Sequence, residues 1–197
     1  TAEGGRAMSF FTIAAEDRSK HRPLGHEDSF DLQIVEVMTP LVKGWCTEAS
    51  MEITSLGVQV HGGMGFVEET GAAQYMRDAR ILPIYEGTNG IQALDFVGRK
   101  SLRDGGEALS KLINEMRLDC QKYFEMGGDL GRLLELLTKT ISQCQQALDH
   151  LLSSPEKASY VAFNQMMLFG NSVAYWLLTK LAFSALTQIN NGSVKDI

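Results

Sequence analysis

Apolar residues recur every three or four positions along almost the whole chain, and hardly any stretch alternates with period two. The pattern predicts helices and gives strands little support. A first helical segment ends near Lys20, and the run 21–28, with Pro23, Gly25 and several charges, reads as a connector. Asp28 or Ser29 then caps a long helix toward Leu56, in which Phe30, Ile34, Val37, Leu41, Trp45, Ala49, Ile53 and Leu56 form one apolar face. Pro40 lies inside it and predicts a kink or brief break, because it cannot donate to the preceding turn. Two glycine-containing loops follow, 59–66 and 84–90, with a short helix over 71–79 between them and another from Thr88 or Asn89 to Lys100.

The clearest internal boundary is Arg103-Asp104-Gly105-Gly106, where paired glycines stop a helix and charges solvate the turn. Three helical segments come after it. In the middle one Leu130, Leu134, Leu137, Ile141, Cys144, Leu148 and Leu151 are spaced alternately four and three apart, the seam of a bundle. The last starts at Ser154, with Pro155 at its first position and Glu156 favouring the helix dipole, and runs to about Ile189. Its expected core face is Val161, Met167, Ala174, Leu177, Leu181, Ala185 and Ile189; Met166, Tyr175 and Trp176 read as packing rather than as a ligand wall, and 190–197 as a polar tail. The chain is thus expected to be all-α, a helical bundle over 1–103 followed by a helical extension over 104–197.

Composition narrows the function more than the fold. With 197 residues, 44% hydrophobic and 21% charged, the chain is long and apolar enough for a packed core, which argues against disorder. A formal charge of −6 gives no electrostatic case for nucleic acid or anionic lipid as a main partner. Three cysteines without a C-x-x-C pair suggest neither a disulfide framework nor a zinc site, and a reducing cytoplasm is the expected compartment. The four histidines lack metal-ligand spacing, so no metal is expected. The most apolar stretch, 172–186, is interrupted by Lys180 and is short for a membrane span. Because the chain opens with Thr1 on what reads as a helix already under way, it is expected to be a piece of a longer protein.

The unusual residues crowd between Gln59 and Gln92. Gly63-Met64-Gly65 is followed by Glu68 where a dinucleotide fingerprint needs glycine, and neither a phosphate-binding loop with its Lys-Ser/Thr nor a nucleophile elbow is present. Yet Gly62, Gly63, Gly65, Gly87 and Gly90 mark backbone that turns sharply or is approached closely, and Arg77, Asp78, Arg80, Tyr85, Glu86, Thr88 and Asn89 stand among them. A carboxylate between an aromatic residue and a glycine, just before a capped helix, suits a base held beside an anion-friendly helix end. The same residues also suit a pair of ordinary connecting loops with a solvated glutamate, and Arg77, Asp78 and Arg80 suit simple loop-pinning ion pairs.

Three linked segments, Gln59-Val60-His61-Gly62-Gly63-Met64-Gly65-Phe66, Met76-Arg77-Asp78-Ala79-Arg80-Ile81 and Ile84-Tyr85-Glu86-Gly87-Thr88-Asn89-Gly90-Ile91-Gln92, closely resemble the C-terminal helical domain of acyl-CoA dehydrogenases. The helix after Gly90 and the extension look like the branch that includes the 3-methylmercaptopropionyl-CoA dehydrogenases. The resemblance implies an FAD-dependent oxidation of an acyl-CoA thioester to its trans-2-enoyl form, with Glu86 as the base that takes the α proton. It implies that Tyr85 walls the acyl pocket and that Gly87 leaves room for the thioester carbonyl. Gln59, Gly62 and Gly63 match a loop that touches flavin, largely a neighbouring subunit's, while Thr88 and Asn89 match flavin contacts at a helix start. Gly90 departs from the Glu or Gln common in relatives, so a side-chain contact is lost there. A homo-oligomer, and an electron-transferring flavoprotein as acceptor, are further expectations from the resemblance. The rival expectation is a non-catalytic helical interaction module.

Overall fold

The computed structural model describes residues 1–21, 29–126 and 130–191. Every regular element among them is helical: α1 (Ala2–Lys20), α2 (Ser29–Val60), α3 (Gly63–Phe66), α4 (Ala72–Arg80), α5 (Asn89–Val97), α6 (Glu107–Met126), α7 (Gly131–Ser153) and α8 (Ala158–Asn190). Short 3-10 turns occupy Glu68–Thr70 and Pro155–Lys157, and a π-helical turn spans Gly98–Leu102. The expected connector at 22–28, the side-chain caps of α2 and most of the polar tail lie outside the described residues.

α1 and α2 form an antiparallel pair. Arg18 near the end of α1 reaches Asp31 at the start of α2, with Nη2 to Oδ1 at 2.9 Å, and at the other end Gly5 lies against Cys46. Ile34, Val37, Leu41, Trp45 and Ala49 are buried as the stripe predicts, and α2 runs through Pro40 without interruption. The stripe overreaches at its end. Ile53 and Leu56 are exposed, because α2 continues past the bundle to Val60, where only the short α3 and α4 lie on it.

α7 buries Leu134, Leu137, Ile141, Cys144, Leu148 and Leu151, as its seam predicts. α8 departs from the expected face: Leu181 and Ile189 are exposed, whereas Ala162, Met166, Phe169, Val173, Trp176 and Phe183 are buried. It packs against α1, α2, α5, α6 and α7, so its middle is enclosed on several sides and no single stripe describes it. Two glycines permit the closest approaches. A Cβ on Gly170 would stand 2.6 Å from the Trp45 ring, and one on Gly44 2.5 Å from the Met166 side chain. The Trp45 indole N–H donates to Asn171 Oδ1 at 2.7 Å across the same contact.

Local chemistry explains the other departures. The helix expected to reach Lys100 ends at Val97 and passes into the π turn, where buried Ser101 donates to the Phe96 carbonyl at 2.7 Å. At the internal boundary Asp104 does more than solvate a turn. Its carboxylate accepts from the Gly106 and Ala108 N–H groups at 3.0 and 2.9 Å, capping the start of α6 after two left-handed glycines. Pro155 opens a 3-10 turn rather than the α-helix itself. One core cluster joins α1, α2, α5, α6, α7 and α8, without a break at the boundary near residue 103. No helix among the described residues is long and apolar enough to cross a membrane.

Candidate active site

The loop expected at 59–66 is mostly helical. α2 continues through Gln59, Gly62 turns the chain at φ +61°, and Gly63 opens the single turn of α3. Gly65 is required by packing: a Cβ there would meet the Val58 carbonyl at 2.3 Å. Gly62 and Gly63 instead face open space, and Gln59, His61, Met64 and Phe66 are exposed. Farther along, Arg77 Nη1 bridges Glu68 at 2.9 Å, and Gln74 donates to Asp78 at 2.7 Å, so Arg77 pins a loop as the plainer expectation held.

The second loop is built around the only non-glycine residue with positive φ among those described, Glu86 at +53°. Gly87 follows at +87°, a conformation that favours glycine, and a Cβ on it would come within 2.9 Å of the amide nitrogen at the flexible end of the Gln92 side chain, so glycine is needed there for conformation. Two consecutive left-handed residues fold the backbone sharply and leave Tyr85, Glu86 and Thr88 exposed at the start of α5. Thr88 caps that helix, its Oγ1 accepting from the Ile91 N–H at 3.2 Å.

The side chain of Asn89, a position the resemblance matches to a flavin contact at the helix start, is turned inward. It is 4% exposed, and its amide is spent inside the chain. Oδ1 accepts from Lys43 Nζ at 3.0 Å, while Nδ2 donates to Glu48 Oε1 at 2.8 Å and to the Gly44 carbonyl at 3.3 Å. The Thr47 hydroxyl lies 2.8 Å from Nδ2, and the Asn89 backbone N–H donates to the Pro83 carbonyl at 3.0 Å. Lys43 also donates to the Gly87 carbonyl at 2.8 Å. Burial lowers the Lys43 ammonium below its ordinary value, and the Glu48 and Glu86 carboxylates oppose that shift. The sequence reading missed Lys43, Thr47 and Glu48. Nothing local marks them, because α2 also carries Asp31, Gln33, Glu36, Thr39, Ser50, Glu52 and Thr54.

The two candidate groups do not converge. Thr47, beside Asn89, and Gln59 are separated by about 18 Å along α2 at the rise of an α-helix. Within one copy of the chain they address different places. No cluster of three or more metal-ligating side chains occurs among the described residues.

Comparison with known proteins gives this all-α chain a family. Residues 1–102 match the acyl-CoA dehydrogenase C-terminal domain, and the chain belongs to that family. It is 42% identical over 195 residues to 3-methylmercaptopropionyl-CoA dehydrogenase of Ruegeria pomeroyi, covering 96% of this chain and 33% of that protein. It is 30% identical over 209 residues to the broad-specificity linear acyl-CoA dehydrogenase FadE5 of Mycobacterium tuberculosis, covering 99% of this chain and 34% of that one. Both matches run through α6, α7 and α8, which the domain match leaves out. The fold is shared with Caenorhabditis elegans ACDH-11, solved in complex with C11-CoA, at a TM-score of 0.67 and 20% identity over 89% of this chain and 30% of that one. The chain spans about a third of the length of the curated relatives it matches.

Proposed function

We propose that this chain is the C-terminal part of an FAD-dependent acyl-CoA dehydrogenase that oxidises an acyl-CoA thioester to the trans-2-enoyl-CoA, with Glu86 as the base. The observation that carries the reading is the loop of Glu86: an acid on a strained turn, exposed at a helix start, and bolted to α2 behind it. When bound, FAD supplies the acceptor for the β hydrogen. The exposed start of α5, flanked by the apolar side chains of Ile84, Tyr85 and Ile91, fits a planar, phosphate-bearing group. Thr88 stands at that edge, whereas Asn89 serves from behind. Gln59, Gly62 and Gly63 sit too far along α2 to join the same contact and are assigned to the cofactor of a neighbouring subunit.

Glu86 takes the proton from the α carbon. A carboxylate is a weak base for a carbon acid, so water must be excluded and the thioester carbonyl held by hydrogen bonds as charge develops on it. The Glu86 backbone N–H is the donor assigned to that carbonyl, with Gly87 leaving space and Tyr85 lining the acyl chain. In this chain Glu86 and Tyr85 are exposed, and most of the length of the relatives is missing from it. Residues 1–103 form the part that meets cofactor and substrate and 104–197 the part that backs it, so residues 1–197 alone neither retain FAD nor turn over acyl-CoA. A homo-oligomeric assembly, a cytoplasmic location and electron transfer to an electron-transferring flavoprotein complete the proposal.

The test compares the full-length protein with the 197-residue chain. The full-length protein should purify with flavin absorbance and bleach anaerobically on mixing with acyl-CoA, and the chain alone should be colourless. A full-length protein that carries no flavin, or whose flavin ignores every acyl-CoA in a chain-length panel, would contradict the reading.

A further inference from the structure

Glu86 is aimed by its backbone. Among the described residues no hydrogen bond holds its carboxylate, which is exposed, so its direction follows from the φ of +53° at its own Cα and from the left-handed Gly87 after it. Such a conformation is disfavoured for a residue with a Cβ and persists only where the surroundings over-determine it. The surroundings here are two bolts on either side of Glu86. Before it, the Pro83 carbonyl is fixed by the Asn89 backbone N–H at 3.0 Å; after it, the Gly87 carbonyl is fixed by Lys43 Nζ at 2.8 Å.

Both bolts end on the same cluster, in which Asn89 is buried and Lys43, Thr47 and Glu48 are half-buried. The Lys43 ammonium is shared between the Gly87 carbonyl and Asn89 Oδ1, and the other end of the Asn89 amide is anchored to Glu48 and the Gly44 carbonyl. Lys43 has donors only and Glu48 has acceptors only, which fixes the orientation of the amide between them. α2 therefore presents one turn, residues 43–48, as a template against which the loop is pressed. On the loop itself Tyr85, Glu86 and Thr88 are exposed.

We infer that Lys43 and Asn89 are positioning residues for the reaction: by clamping the Gly87 and Pro83 carbonyls they hold the Glu86 carboxylate in the direction needed for proton abstraction. The inference rests on the reading of Glu86 as the base, and adds to it the residues that make that base competent. Displaced catalytic groups lose rate rather than binding when the acyl-CoA contacts themselves are left in place.

The experiment uses the full-length, flavin-loaded protein and follows anaerobic bleaching as a function of acyl-CoA concentration. Lys43→Met should lower the rate at saturation by about tenfold or more, the scale on which misplacement of a reacting group acts. The half-saturating concentration should change little, and Lys43→Arg, which keeps a cation within reach of the Gly87 carbonyl, should recover most of the rate. Asn89→Ala should act in the same direction as Lys43→Met. Without substrate, amide hydrogen exchange across 83–89 should rise in both variants while α7 stays protected, a readout that does not depend on turnover. Glu86→Gln run alongside separates the two levels. If Glu86→Gln is inert and Lys43→Met bleaches at the unaltered rate, the positioning role is overturned and the base stands. If Glu86→Gln itself bleaches normally, the base assignment falls and the positioning role falls with it.

Discussion

At residue scale the chain separates positions whose neighbours dictate them from positions that face outward. Gly65 and Gly87 are dictated from within, by the Val58 carbonyl and by the left-handed backbone after Glu86. Gly63 meets nothing inside the chain. Thr88 combines both kinds: its Oγ1 caps α5, and it stands at the exposed edge assigned to the cofactor. Thr88→Ala should therefore cost about 1 kcal/mol of stability through the lost cap, and Thr88→Ser should restore it. Chemical denaturation of both variants checks this, and equal stability of Thr88→Ala and the unaltered protein would remove the cap from the account.

Buried thiol and phenol groups give a second residue-scale expectation. Burial pushes Cys144 up to about 11, with the Ser172 hydroxyl opposing, and Tyr123 up to about 12. At pH 8 only about one Cys144 in a thousand is thiolate, so iodoacetamide should leave it unmodified in the folded protein and label it after unfolding. Peptide mass spectrometry reads the outcome, and rapid native-state labelling would contradict the packing around it. Because both groups are held protonated by the fold, their contribution is complete below their unfolded values of 9.0 and 10.0 and is lost as pH rises through about 11 and 12. Of the site itself, Glu86 and the glycines were legible as residue types, and the Lys43 cluster was not. Its members are 41 to 46 residues from the loop they hold, a separation that periodicity along one helix does not register.

At the scale of elements, legibility followed the number of covered faces. α7 covers the core with one face, so its stripe of Leu and Ile was enough to name every buried position from Leu134 to Leu151. α8 is enclosed by five other helices and carries apolar residues all round, so a single stripe was the wrong description. α2 was correct along its middle and wrong at its end, where the sequence pattern outlasts the bundle. Leu137 is fully buried in the seam of α7, and Leu137→Ala should cost about 2 to 5 kcal/mol. Gly170→Ala should also destabilise, by about 1 to 3 kcal/mol, because the added methyl would stand 2.6 Å from the Trp45 ring. Thermal unfolding of the two variants tests both, and an unchanged midpoint for Gly170→Ala would mean that the α2 and α8 contact is looser than described.

For the whole molecule, the internal boundary near residue 103 marks where the family domain match stops, not where the core divides. α8 returns from the extension to pack on α1, α2 and α5, and its Phe169 meets Phe96 of α5 edge to face, with ring centroids 5.4 Å apart. Met166 of α8 rests on Gly44, in the same turn of α2 that anchors Asn89. The extension thus backs both elements that present Glu86, the helix behind its loop and the helix after it. The sequence supported a helical extension without revealing this return, since nothing local in α8 says which helices will surround it.

The central claim is that this chain contributes the base of an acyl-CoA dehydrogenase, and Glu86→Gln in the full-length flavin-loaded protein tests it most directly. The amide keeps the size of the side chain and the backbone N–H assigned to the thioester carbonyl, but it cannot accept the α proton. Anaerobic rapid mixing with a panel of saturated acyl-CoAs should bleach the unaltered protein and leave the variant's flavin oxidised, with flavin content equal in both. Bleaching of Glu86→Gln at the unaltered rate would contradict the account and place the base on another residue.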